Sequence, residues 1–369
     1  MERYLLKQIK SDLAEKMVFL GGPRQVGKTT LSRSLMPKTG RYLNWDVPID
    51  KESILKKEYP RESFIVFDEI HKYRQWRNYL KGFYDLHKDQ KKILVTGSAR
   101  LDLYRFGGDS LQGRYFYLRM HPLSVAELKL KSQKDFLDLL KLGGFPEPFL
   151  KGSESFARRW TRDYRQRLIY EDVTSMEQTQ ELQKMELMLH HLPNLVGSPL
   201  SINSLQEDLQ ATPRSIGKWV DILERLYGIV RLSPFGSPKI RAVKKEQKHY
   251  HYDWALVPDE SVRFENLVAI HLLKWVHFQQ DTEGLNWELR YFRDREQREV
   301  DFVIVDGKNP ILAIEVKWSD AEVSSSLKYF KNKFPHCRCI QLHAIGKKEY
   351  STPTQIEVLS WSSFLCDLC

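Results

Sequence analysis

The stretch from Met17 to Ser34, MVFLGGPRQVGKTTLSRS, restricts this chain more than any other. Gly22, four free positions and then Gly27-Lys28-Thr29 make the phosphate-loop spacing. Met17 to Leu20 read as a short buried strand, and Thr30 to Leu35 as the start of a helix. A phosphate chain needs closely spaced main-chain N–H donors and the positive end of a helix. Glycines let the backbone wrap such an anion without Cβ clashes. The binding run is therefore Gly22, Pro23, Arg24, Gln25, Val26, Gly27, Lys28, Thr29 and Thr30. Lys28 is expected to reach the β- and γ-phosphates of ATP, and the Thr29 hydroxyl to hold Mg²⁺. The competing reading is a glycine-rich turn that matches by chance. Two further pieces of the same engine, at suitable distances, argue against it.

The first is Phe64-Ile65-Val66-Phe67 followed by Asp68-Glu69. Four apolar residues capped by two acids form the Walker B pattern. Asp68 is expected to orient the Mg²⁺, and Glu69 to polarise the attacking water. The second is the apolar strand Lys92 to Val95, closed by Thr96-Gly97-Ser98. A hydroxyl there can sense the γ-phosphate, and Thr96 and Ser98 are both candidates. Strands alternating with helices, with the polar chemistry at strand C-termini, imply a parallel sheet covered by helices. Arg114 follows a helix expected over Leu101 to Leu111 and precedes the strand Tyr115 to Leu118. A ring-forming ATPase takes a transition-state arginine from the neighbouring subunit. Arg114 is the candidate for that role in a homo-oligomer, with Arg100 as substitute. The alternative is a surface arginine paired with an acid.

From His121 a helical pattern runs to about Val173, broken by Gly143-Gly144-Phe145-Pro146-Glu147-Pro148. It reads as a helical lid over the nucleotide. Ile202 to Gln210, the turn Ala211-Thr212-Pro213 and Arg214 to Leu226 have helix-turn-helix spacing. Thr212 is the expected cap and Pro213 the first helical residue. Arg214, Ser215, Lys218 and Trp219 are expected on its outer face. Ile229 to Leu232 can begin a wing, and KIRAVKKEQK from Lys239 to Lys248 adds positive charge. DNA contact is one reading. A winged helix used for packing or as a hinge is the other, because Asp221 and Glu224 dilute the positive face.

The last module begins near Tyr250. An apolar helix from Val262 to Val276 carries Glu265. Leu289 to Arg293 and Glu299 to Val305 read as a hairpin, and Ile311 to Lys317 as the next strand. Alternate residues share a strand face, so Glu315 and Lys317 point together. Asp301 on the adjacent strand can join them. Glu265, Asp301 and Glu315 would hold Mg²⁺ or Mn²⁺, with Lys317 activating water or touching phosphate. A nuclease-like fold that keeps the charges without the activity is the alternative. Cys337, Cys339, Cys366 and Cys369 lie near the end of the chain. Their spacing lacks the usual zinc repetition, so zinc is not expected.

A net charge of +10 is compatible with an anionic partner such as nucleic acid. No 18-residue apolar run exists, so no membrane partner is expected. Together with the cysteine pattern, this reads as a cytoplasmic protein. The expected divisions are 1–120 for the ATPase core, 121–179 for the lid, 180–249 for the winged helix-turn-helix and 250–369 for the nuclease-like domain.

The set GGPRQVGKTT, FIVFDEIH, ILVTGSAR, LQGRYFYLRMHPLSVAEL and GGFPEP resembles a large prokaryotic group of AAA-type ATPases. These carry a C-terminal domain of unknown function with a restriction-endonuclease-like PD-(D/E)XK fold, which FENLVAIHLL, EVDFVIV and AIEVKWSD resemble. The resemblance implies ATP binding through Gly22 to Thr30, Mg²⁺ and water handling at Asp68 and Glu69, and a nuclease-type site at Glu265, Asp301, Glu315 and Lys317. One departure stands out: HYHYDWALVPDES is long and aromatic where the group has a shorter strand and turn. Two functions are compatible with all this. One is an ATPase driving a domain that acts on or binds nucleic acid. The other is a nucleotide-dependent switch or assembly protein whose nuclease-like domain binds a partner without cutting.

Overall fold

The computed structural model describes residues 1–97, 111–173, 181–236 and 247–369. It divides into two compact units: Met1–Pro122 with Asp281–Glu283, and Leu123–Gln280 with Gly284–Cys369.

Among the described residues, the sheet of the first unit holds five strands. They are β1 (Met17–Gly21), β2 (Arg41–Asn44), β3 (Phe64–Asp68), β4 (Lys92–Thr96) and β5 (Tyr115–Arg119), in the order β2-β3-β4-β1-β5. All neighbours pair in parallel. β1 and β3 are buried at every residue, as continuous apolar runs covered on both faces should be. The helix Trp76–His87 presents Trp76, Tyr79, Leu80 and Phe83 to a core with Phe19, Phe67 and Val95. Parallel strands bring all their C-termini to one edge, where ligands bind in such sheets. The expected parallel α/β core is therefore present, with Gly21, Asp68 and Thr96 at that edge. Ser98, Arg100 and the helix from Leu101 lie outside the described residues.

The second unit is built differently. β8 (Trp287–Arg293), β9 (Glu299–Asp306) and β10 (Asn309–Lys317) form an antiparallel meander. β11 (Arg338–His343) pairs parallel to β10 after the helix Ser325–Lys333, and β13 (Ile356–Ser360) pairs parallel to β11, with short β12 (Tyr350–Ser351) at the edge. The helix Ser325–Lys333 packs Leu327 and Phe330 on Val303, Val305 and Cys339. The long helix Glu260–Glu283 starts at an Asp259 cap. Cys337 and Cys339 are buried as small apolar side chains.

The two expected helices lie at Ile202–Leu209 and Pro213–Arg225, joined by a short turn. The Thr212 hydroxyl accepts from the Ser215 N–H, and Pro213 opens the second helix. It leads into β6 (Ile229–Leu232), antiparallel to β7 (Lys248–His251). Trp219 departs from expectation. It is buried rather than displayed, because it continues the apolar stripe of Ile216, Val220 and Leu223. Arg231 takes up Asp221 and Glu224, the two acids expected to dilute the outer face. Residues 239–246 of the basic run lie outside the described residues.

The region expected as a lid belongs to the second unit. Phe136 on the helix Gln133–Leu142 stacks on Trp361 at 4.4 Å, and Gln133 accepts from the Trp361 indole at 2.9 Å. Trp254 donates to the Leu139 carbonyl at 3.1 Å. Lys274 bonds Ser124 at 2.8 Å and pairs with Glu127. Helical periodicity shows that these segments have an apolar face, but not which core that face joins. The expected divisions at 179 and 249 both fall inside the second unit. Among the described residues, no helix is long and apolar enough to cross a membrane.

Candidate functional site

The phosphate loop leaves β1 at Gly21 and enters the helix Lys28–Leu35. Gly22 has φ +127°, and a Cβ there would lie 2.2 Å from the Met120 carbonyl oxygen. Glycine is thus required by both backbone angle and space. Gln25 and Gly27 also have positive φ, at 58° and 99°, the left-handed backbone from which anion-binding nests are built. Lys28 is buried, and its ammonium donates to the carbonyls of Gly22 at 2.8 Å and Pro23 at 2.6 Å. Arg3 pins the loop from behind: its guanidinium donates to the Val26 carbonyl at 2.6 Å and the His121 carbonyl at 2.5 Å.

Asp68 gathers three side-chain hydroxyls at this edge of the sheet. Its Oδ1 accepts from the Thr96 hydroxyl at 2.6 Å, and its Oδ2 from Thr29 at 3.3 Å and from Tyr42. Burial, and then the Asp68 carboxylate, raise the Tyr42 phenol well above its ordinary pKa, so it stays a donor. Glu69 follows in the left-handed region at φ 56°, anchored by its N–H to the Thr96 carbonyl at 2.9 Å. Its carboxylate lies 3.5 Å from both Lys72 and the His71 imidazole. Burial lifts the Glu69 carboxyl above its usual range, against the pull of Lys72 and Lys28. A raised carboxyl suits a water-activating base.

The second cluster lies in the second unit. The β9–β10 ladder runs to Phe302 opposite Ile314, so Asp301 and Glu315 form the next pair. Asp301 Oδ2 accepts from the Val316 N–H at 2.8 Å, and Lys317 donates to Glu315 Oε1 at 2.8 Å. Glu265 arrives from the long helix and accepts from the Tyr250 hydroxyl at 2.7 Å. The four expected residues thus converge. A fifth group joins them. Lys248, 1% exposed, reaches in from β7, with its ammonium 2.5 Å from Glu299 Oε1 and 3.9 Å from both Glu265 Oε1 and Asp301 Oδ1. Burial works against the Lys248 charge, but Glu265, Asp301 and Glu299 outweigh it and hold the ammonium above its ordinary pKa. Burial and the neighbouring Asp301 charge push the Glu265 and Glu315 carboxyls up. The expectation of Mg²⁺ or Mn²⁺ at Glu265, Asp301 and Glu315 gains no support from the structure. Among the described residues, no group of three or more His, Cys, Asp or Glu is disposed to hold a metal ion. Lys248 brings a positive charge among these carboxylates, and Lys317, Tyr250 and the Val316 N–H each take one oxygen of Glu315, Glu265 and Asp301.

Residues 14–129 match a family model described as an AAA domain. The first unit thus resembles an AAA domain. Residues 133–260 and 263–364 match two further families, both described as domains of unknown function. An uncharacterized protein of Mycobacterium bovis is 25% identical over 246 residues, covering 65% of this chain and 55% of that protein. One of Methanocaldococcus jannaschii is 24% identical over 297 residues, covering 66% and 61%. The chain thus spans little more than half the length of these relatives. Among solved structures, a Thermotoga maritima RuvB variant aligns with TM-score 0.27 and 18% identity, covering 62% of this chain and 88% of that one.

Within this AAA-like region, two of the expected side chains have definite partners, Thr96 and Arg114. The Thr96 hydroxyl is turned onto Asp68, so it positions the acid rather than projecting from the strand end. Ser98 lies outside the described residues. Arg114 forms a two-point pair with Asp85, at 2.7 and 3.1 Å, which is the paired alternative. Its carbonyl accepts from the Met17 N–H, so it sits at the start of β1, opposite the phosphate-loop edge. Tyr42 and Arg3 escaped sequence reasoning because no spacing rule links them to the loop. Lys248 and Tyr250 escaped it too, although Lys248 precedes, and Tyr250 lies within, the aromatic segment that departs from the resembling group. Their alternation on one strand, two residues apart, was the available signal.

Proposed function

We propose that this chain is a Mg²⁺-dependent ATPase whose nucleotide state governs the second unit, a nuclease-like module that engages an anionic partner, nucleic acid being the leading class. One observation carries the reading: Asp68, held by Thr96, Thr29 and Tyr42, stands beside a phosphate loop whose Lys28 is already aimed inward. On ATP binding, the Lys28 ammonium exchanges two carbonyl acceptors for phosphate oxygens, and the loop N–H groups take the remaining phosphate charge. Thr29 and Asp68 fit the Mg²⁺ requirement for hard oxygen donors, and bound Mg²⁺ supplies neutralisation of the β- and γ-phosphate charge. Glu69 orients the attacking water once it exchanges Lys72 and His71 for it.

The order helix, antiparallel meander, helix, parallel strand, with Asp301 and Glu315-x-Lys317 on adjacent strands, supports the PD-(D/E)XK reading of the second unit. The helix-turn-helix followed by the β6–β7 pair supports the winged-helix reading. Exposed Arg214 and Lys218 offer charge to an anionic partner. Of the two functions, the non-cutting switch is favoured by Lys248, which neutralises the acidic cluster from within the chain.

The test is nucleotide retention and hydrolysis by purified protein. Lys28→Ala is expected to lose both. Glu69→Gln is expected to keep binding and lose about 100-fold or more in turnover. Hydrolysis that persists in Lys28→Ala overturns the proposal.

A further inference from the structure

The acidic cluster of the second unit already contains a cation. Lys248 is among the most deeply buried side chains of the unit, and no buried ammonium is tolerated without compensating acids. Its Nζ contacts Glu299 and stands equidistant from the nearest oxygens of Glu265 and Asp301. The Tyr291 ring lies 5.4 Å from it, closing the apolar side. Each of the other groups has at least one partner, although Glu315 Oε2 is buried without one. Lys317 holds Glu315, Tyr250 holds Glu265, the Val316 N–H holds Asp301, and Arg293 lies 3.6 Å from the second oxygen of Glu299. Four carboxylates, Glu265, Glu299, Asp301 and Glu315, are thus faced by three side-chain cations, Lys248, Lys317 and Arg293.

The strand that delivers Lys248 is clamped rather than hinged. The Asn266 amide accepts from the His251 N–H at 2.8 Å and donates to the His251 carbonyl at 2.7 Å. His249 bonds the Leu192 carbonyl at 2.9 Å, and the Leu200 N–H bonds Gln247 at 2.9 Å. Gly197, at φ +80°, brings the backbone so close that a Cβ would lie 3.1 Å from both Glu265 carboxylate oxygens. Every residue of β7 is buried.

We propose that Lys248 is the resident cation of this cluster: its ammonium supplies, as a covalent part of the chain, the positive charge that a divalent ion brings to a hydrolytic carboxylate site. The second unit is then a metal-independent, non-cleaving module. This rests on the non-cutting reading above and gives it a cause. A divalent ion there would have to coordinate carboxylate oxygens at about 2.0–2.6 Å, in the space the ammonium holds. Lys248→Met keeps the unbranched stem and removes the charge, leaving the acidic pocket without its cation.

The experiment counts Mn²⁺ bound to nucleotide-free full-length protein by electron paramagnetic resonance, with Asp301→Asn as the reference that assigns an ion to the second unit. Wild type is expected to show no Mn²⁺ that Asp301→Asn removes. Lys248→Met is expected to gain one, with affinity raised by about tenfold or more, and to lose it again in Lys248→Met/Asp301→Asn. An Asp301-dependent ion in wild type overturns the proposal, as does a folded Lys248→Met that gains none. If Lys248→Met does not fold alone, refolding in Mn²⁺ supports the proposal and failure to refold in Mn²⁺ overturns it. Nucleotide retention by the same wild-type preparation is scored separately. Its absence removes the ATPase reading and leaves this one standing.

Discussion

Replacing Lys274 by methionine tests whether the 123–173 region belongs to the second unit. Lys274 and Glu127 are each 2% exposed or less at the side chain, and the ammonium also donates to Ser124. Methionine fills nearly the same volume, so little packing is lost. The charge partner of Glu127 is lost outright. Removing one member of a buried pair costs about 3–5 kcal/mol, because the other is left charged in a low-dielectric site. The Ser124 hydroxyl loses a donor as well, worth about 1 kcal/mol. A loss of about 4–6 kcal/mol is therefore expected. Tryptophan fluorescence during chemical denaturation is the assay. Of the nine tryptophans only Trp45 and Trp76 lie in the first unit, so the signal reports on the second. Adding Glu127→Gln should restore most of the loss, since a neutral amide needs no counter-charge. A loss below about 1 kcal/mol, the worth of an exposed pair, would refute the buried docking of Val125–Leu128 and restore the separate lid.

Four further outcomes follow from the geometry. Thr96→Val leaves Asp68 Oδ1 without its buried donor, and steady-state ATP hydrolysis should fall about 10-fold or more while nucleotide binding persists; unchanged turnover would remove Thr96 from the site. Arg114→Ala breaks the Asp85 pair at the start of β1, away from the phosphate loop, so turnover should stay within about threefold; a loss of about 10³-fold would reinstate the subunit-bridging arginine. Gly197→Ala forces a left-handed alanine against Glu265 and should lower denaturation stability by about 1–2 kcal/mol. Burial lifts the Asp253 carboxyl to about 6, against Thr161 and the Ala255 N–H. Its folded pKa lies above the unfolded one, so its contribution is greatest below about pH 4 and falls as pH rises to about 6. Asp253→Asn should flatten that decline in stability measured against pH, and an unaltered slope would show that Asp253 is not its source.

The phosphate loop was legible because its chemistry is local. Gly22, Gly27, Lys28 and Thr29 act through backbone angles and through reach within one loop, which spacing alone encodes. Asp68 was legible as four apolar residues ending in an acid. The Thr212 cap and Pro213 start were legible for the same reason, since a cap is satisfied within three residues. Arg114 was not decided by sequence, because its partner, Asp85, is 29 positions away.

By itself, the sequence determined the parallel core of the first unit and the strands that bring Asp301, Glu315 and Lys317 together, because strand and loop preferences act over a few residues. Only the tertiary structure decided which core the 123–173 helices join and what stands among the carboxylates. Both depend on where distant segments meet. Apolar periodicity marks a face without naming its partner, and a lysine acquires its meaning from acids 17, 51 and 53 positions away in the chain, at Glu265, Glu299 and Asp301.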